Sequence, residues 1–91
     1  MDFEIDRVKK NPIEEPSIKE MTEKAIELLS TNPNGYFLLV EGGKIDLAHH
    51  VSNARRAIDD FVAFDEAIGR AQEIVSYNDT LFIVTADHSH T

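Results

Sequence analysis

An acid and a histidine come together twice in this sequence: Asp46 with His50, and Asp87 with His88. The first pair is four residues apart, with good helix formers between. That spacing sets a carboxylate and an imidazole on one helical face, about one turn apart. Two such side chains can grip a single ion, as paired histidines do in zinc protease helices, and the mixture of oxygen and nitrogen suits zinc. Asp87 and His88 are adjacent, in Val84-Thr85-Ala86-Asp87-His88, where an apolar run gives out and both side chains are expected to meet a second ion. Glu41, in Val40-Glu41-Gly42-Gly43, has no imidazole near it among strand-end residues. It offers only oxygen, which favours a harder ion such as magnesium. Taken singly, each signal has a plainer reading. Asp46/His50 also fits a solvated helix, Asp87-His88 a helix cap, and Glu41 a turn. His49 is read as a solvent or packing histidine.

The elements expected to position these residues alternate in type. Residues 1–16 are polar, broken by Pro12 and Pro16, and read as an irregular lead-in. Ser17 with Glu20 forms a capping box, and Ile18, Met21, Ala25 and Leu28 or Leu29 follow on one face, which predicts a helix over 17–30. Thr31-Asn32-Pro33-Asn34-Gly35 stops it, and the apolar run 36–40 predicts a strand buried on both faces. From Asn53, residues Ala54, Ala57, Ile58, Phe61, Phe64, Ile68, Ala71 and Val75 recur at helical spacing, predicting a long amphipathic helix over 53–75 with that stripe as core. Residues 80–86 predict a second strand. Two strands joined by a long helix make an α/β chain, a βαβ portion of a parallel sheet with a right-handed crossover, preceded by one helix. Both strand ends then point the same way, so Glu41 and Asp87 meet at one sheet edge, where open parallel sheets take their ligands. Gly42 and Gly43 are expected to let the chain leave the first strand through φ values that other residues resist.

Composition narrows the function. Ninety-one residues make one small domain or part of one, burying roughly 60–65% of the unfolded surface. With no cysteine, disulfides and thiolate metal sites are excluded. Seventeen Asp and Glu against nine Lys and Arg argue against nucleic acid as the main partner and against an anionic membrane surface. No apolar run reaches the ~18 residues of a membrane span, and the N-terminus lacks the pattern of a signal peptide.

Val40-Glu41-Gly42-Gly43-Lys44-Ile45-Asp46, then His49-His50, then Val84-Thr85-Ala86-Asp87-His88-Ser89-His90 resemble the metal-binding core of the alkaline phosphatases. The likeness runs through nearly the whole chain, and Met21-Thr22-Glu23-Lys24-Ala25-Ile26 resembles the helix before that core in the animal enzymes. It implies a three-layer fold around a parallel sheet. It also implies Glu41 as magnesium ligand, Asp46 and His50 on a first zinc, Asp87 and His88 on a second, and His90 steadying a zinc-bound carboxylate. Leu47 and Ala48 replace the His-Gly usual in the vertebrate enzymes, at positions that hold no zinc. The activity implied is hydrolysis of small phosphate monoesters through a phosphoserine, two zinc ions clamping an in-line displacement. The resemblance further implies a homodimer, outside the cell or at its surface, with a lipid anchor in some members.

The family's Asp-Ser-Ala nucleophile motif is absent, as are its phosphate-clamping arginine and the remaining metal ligands. Arg55 and Arg56 fall on the long helix and do not replace the clamp. The expectation is an internal piece of a phosphatase, inactive by itself. Two alternatives stand beside it: a short product that binds metal or a partner without catalysis, and a related phosphodiesterase or phosphonate hydrolase, which the Glu-Gly-Gly motif fits less well. Asn78-Asp79-Thr80 is a glycosylation sequon.

Overall fold

Asn53 starts the longest element, its side-chain oxygen accepting the Arg56 N–H at 3.0 Å. The computed structural model describes residues 1–11 and 13–90, so Pro12, one of the two breakers expected in the lead-in, lies outside the described residues. In order come α1 (Glu4–Arg7), α2 (Ile18–Leu29), α3 (Lys44–His50) and α4 (Ala54–Ile74). Three helices, α1, α2 and α3, each pack on α4, and none packs on another.

α4 can serve three neighbours because its buried positions are small. Ala57, Ala63, Ala67 and Ala71 are buried at three-to-four-residue spacings, with Asp60 among them. Short side chains let a facing helix come close. α2 presents Ile18, Thr22 and Ile26, one turn apart, and Ile18 joins Ala63 and Ala67 in a cluster flanked by Val40 and Phe64. The α2 capping box is formed in full: Ser17 Oγ accepts the Glu20 N–H at 3.1 Å, and Glu20 accepts the Ser17 N–H at 2.7 Å. At the other end of the same contact, Arg70 of α4 reaches Glu23 of α2 at 2.5 Å and Glu73 at 3.1 Å. These two carboxylates raise the guanidinium's pKa.

The expected α/β arrangement is not found. Among the described residues there is no strand and no sheet, and the chain is helical. Residues 36–40 and 80–86 run without ladder partners. Phe37 is 87% exposed and Leu81 85%, where the sequence reading has the first run buried on both faces. The reason is physical: parallel sheets are stable when both faces are covered, two strands alone are marginal, and α4 already spends its buried side on three helices. The expected stripe on α4 also divides. Ala57 and Ala71 are buried, Phe64 and Ile68 half-buried, but Ile58 and Phe61 are exposed.

Two further departures come from long-range contacts. The lead-in contains α1, whose N-cap Phe3 makes no side-chain cap. Asp60 of α4 replaces it, accepting the Glu4 N–H at 3.2 Å from 56 residues away. Phe3 itself lies under Lys44 and Arg56, at 4.8 and 4.7 Å from the ring centre. Nor do Gly42 and Gly43 use the left-handed region: among the described residues the positive φ values belong to Gly35 and Ser52. Gly42 is small for another reason, because a Cβ there would stand 3.0 Å from Phe64 Cγ.

Candidate metal centre

Sequence and packing together decide where α3 points its acid. Ala48 is wholly buried, the most enclosed residue of α3. Asp46 lies two positions earlier, about 200° around the helix, and is thereby turned away from the α4 side. His50 follows Asp46 by one turn, and its Nε2 stands 3.3 Å from Asp46 Oδ2. The acid is in the first turn of α3 and the histidines in the last, the order a helix dipole favours. A Schellman turn ends the helix, with Asn53 N–H donating to Ala48 O at 2.9 Å and Ser52 N–H to His49 O at 2.9 Å. Ser52 occupies the left-handed position usually given to glycine, at φ 53°.

The segment 85–90 returns over this helix and brings two more imidazoles. His88 Nε2 and His90 Nε2 each lie 3.7 Å from Asp46 Oδ1. His90 stacks on His49, with ring centres 5.2 Å apart and planes 19° apart, and meets His50 edge-on at 4.7 Å and 87°. Its side chain is only 20% exposed. His88 is more open. Its Nδ1 is 2.9 Å from the Ser89 carbonyl, which can only accept, so the proton belongs on Nδ1 and Nε2 is turned toward the acids. That bond, with the charges of Asp87 at 3.4 Å and of Asp46, raises the His88 pKa.

Among the described residues, the one grouping able to hold an ion is Asp46, His50 and His90, whose ligand atoms lie within 4.8 Å of one another. Asp87 and His88 stand beside it, joined through His88 Nε2, while the Asp87 side chain is 85% exposed. Glu41 lies three residues before α3, its carboxylate folded over Gly43, and shares a shallow pocket with Lys44, Asp46 and Leu47. The structure thus gathers Asp46, His50, His88 and His90 tightly and leaves Glu41 apart. His49, read as a solvent or packing residue, forms the floor on which His90 stacks. Its place directly before His50 at the end of a short helix was the available signal.

A divalent ion fits this arrangement on two grounds. Asp46 Oδ1 is buried and has no hydrogen-bond donor, a costly state for a carboxylate oxygen that a cation offsets. Imidazole nitrogens with a carboxylate oxygen are a zinc donor set; Glu41 offers oxygen alone. Arg55 and Arg56, by contrast, are occupied elsewhere, on Asp59 at 2.8 Å and Asp6 at 3.1 Å.

Comparison with known proteins finds relatives along the full length of the chain. A model of the family "Alkaline phosphatase" matches residues 1–91. The chain is 53% identical over 90 residues to the tissue-nonspecific alkaline phosphatase isozyme of Felis catus, covering 99% of this chain and 17% of that protein. It is 49% identical over 90 residues to the same isozyme of Homo sapiens, again 99% against 17%. With an alkaline phosphatase of Gadus morhua it shares 52% over 83 residues, 91% against 17%. No solved structure matches. The chain therefore spans 17% of the length of these curated relatives, and within that span it belongs to the alkaline phosphatase family.

Proposed function

We propose that this chain carries metal-binding residues of a zinc- and magnesium-dependent phosphate monoester hydrolase. The observation behind the reading is Asp46, with one oxygen against His50 and the other, buried and lacking a hydrogen bond, facing His88 and His90. Family membership supports it. Asp46 and His50 are assigned to a first zinc, Asp87 and His88 to a second, and Glu41 to magnesium. When bound, such ions neutralise charge on a transferring phosphoryl group at both its attacking and leaving oxygens.

The chain's own contribution is placement. α3 fixes Asp46 and His50 one turn apart, and the Ser89 carbonyl holds the His88 proton on Nδ1, leaving Nε2 to ligate. The nucleophilic serine motif is absent from the sequence, so the chain by itself is inactive and the complete site needs other residues. Small phosphate monoesters are the proposed substrates, acting at or outside the cell surface, with the longer protein a homodimer. No helix among the described residues is long and apolar enough to cross a membrane. Asn78, exposed in the turn after α4, is the proposed glycan acceptor.

A chimera tests the reading. The matching segment of the Felis catus isozyme is replaced by this chain, and hydrolysis of p-nitrophenyl phosphate is measured. Retained activity, abolished by Asp46→Ala, is expected. A chimera that is secreted at the right size yet inactive overturns the reading. That outcome selects the second one, metal binding without catalysis, which the close grouping of Asp46, His50 and His90 favours.

A further inference from the structure

An asparagine side chain can react with its own backbone wherever the amide nitrogen of the next residue reaches its carbonyl carbon. The five asparagines of this chain differ in that respect. Asn11 and Asn32 precede Pro12 and Pro33, which carry no N–H. Asn53 is committed to capping α4, its side-chain oxygen accepting the Arg56 N–H at 3.0 Å. Asn78 precedes Asp79, whose side chain crowds the nitrogen and whose charge opposes loss of the amide proton. Asn34 precedes Gly35, which has no side chain to stand in the way.

The turn Asn32-Pro33-Asn34-Gly35, between α2 and the run 36–40, leaves that pair open to water, and both residues are exposed. Asn34 N–H donates to Asn32 Oδ1 at 2.9 Å, but among the described residues no hydrogen bond restrains the Asn34 side chain. Gly35 lies at φ 82°, with nothing within 4 Å of where a Cβ would stand. Its N–H donates to Asn32 O at 3.1 Å, and this bond must open before the nitrogen can react. A single hydrogen bond in an exposed turn holds back little, so the need to open it slows the reaction by about tenfold at most.

We infer that Asn34 is a site of spontaneous deamidation. The Gly35 nitrogen gives its proton to water and attacks Asn34 Cγ. The N–Cγ bond forms, the Cγ–Nδ2 bond breaks, and Nδ2 leaves with a proton as ammonia. Water then opens the resulting succinimide ring. Cleavage at Cγ yields aspartate; cleavage at the main-chain carbonyl yields isoaspartate, in which the chain runs through Cγ and is one carbon longer. Nothing is oxidised or reduced, and water is the sole co-reactant. Each event adds a negative charge to an already acidic chain, and the isoaspartyl form lengthens the link between α2 and Glu41.

The test is timed incubation of the 91-residue chain in buffer, with peptide mapping by mass spectrometry for a gain of one dalton at each asparagine. A parallel sample in urea sets the rate of the unfolded chain, and circular dichroism confirms helix in the folded one. An isoaspartyl carboxyl methyltransferase with radiolabelled S-adenosylmethionine reports the isoaspartyl product. The gain is expected first at residue 34, at least tenfold faster than at Asn53 or Asn78, and within tenfold of its rate in urea. Methyl labelling is expected to be lost in Asn34→Gln and kept in Asn78→Gln. Earlier reaction at Asn53 or Asn78 overturns the inference. So does a folded chain that reacts at residue 34 more than tenfold slower than the unfolded one, because the turn would then protect the site.

Discussion

Gly42 faces the ring of Phe64 so closely that a Cβ would lie 3.0 Å from Cγ and 3.2 Å from Cδ2. The contact joins the approach to α3 to the core on α4, because Phe64 packs against the Ile18, Ala63 and Ala67 cluster. Gly42→Ala is expected to destabilise the chain by about 1–3 kcal/mol, the usual cost of overpacking. Gly43→Ala is the control. Its Cβ meets only the movable Glu41 carboxylate, in a backbone conformation alanine accepts, so urea unfolding should show it no less stable than the parent.

Ser52 offers a gain. It sits at φ 53° in the turn between α3 and α4, where an L-residue is strained by roughly 1–2 kcal/mol and glycine is not. After the entropy glycine loses on folding, Ser52→Gly should stabilise the chain by about 0.5–1 kcal/mol. Thermal unfolding should record a midpoint a few degrees higher.

Asp60 gives a pH dependence of definite sign. Burial raises its pKa above 3.8, with Glu4 and Asp59 adding to the rise, while the Glu4 N–H and Lys44 oppose it. A carboxyl with a raised folded-state pKa contributes stability below its unfolded pKa, and loses it as pH climbs through the folded value. At neutral pH the charge is therefore a cost. Asp60→Asn keeps an oxygen for the Glu4 N–H and removes the charge, so it should unfold at a higher temperature than the parent at neutral pH, the two converging in acid.

Chelation supplies a fourth measurement. The terminal segment lacks regular structure, and its histidines meet α3 around Asp46. With zinc bound, amide exchange at 88–90 should slow, and a chelator should restore it while leaving α4 unchanged. Equal exchange with and without zinc would count against metal docking of this segment.

Local signals in the sequence match local structure in several places. Ser17 and Glu20 sit three residues apart and cap each other; Asp46 and His50 meet because a helix turns every 3.6 residues. What was hidden depends on partners far along the chain. The apolar runs 36–40 and 80–86 carry β-type residues, but such preference reports what fits a covered, pleated surface, and here Val40 packs on the core while Phe37, Leu39, Leu81 and Ile83 stay exposed. α1 was invisible because its cap, Asp60, is 56 residues away. The role of Gly42 was misread because its reason, Phe64, lies on another helix. His90 meets Asp46 through a segment with no periodicity to betray its path.

Because α1, α2 and α3 pack on α4 and not on each other, the fold has the wiring of a star, with one centre and arms tied sideways only by contacts such as Lys44 of α3 over the Phe3 ring at the start of α1. Fraying of α2 can leave the acid and imidazoles on α3 in place, whereas opening of α4 releases every arm at once. Substitutions on separate arms should then add in their free energies, and those on the centre should not. A change in the metal cluster can reach the capping box of α2 through the seam of alanines from Ala57 to Ala71 and through Val40, which leads toward α3 and packs on the Ile18 cluster.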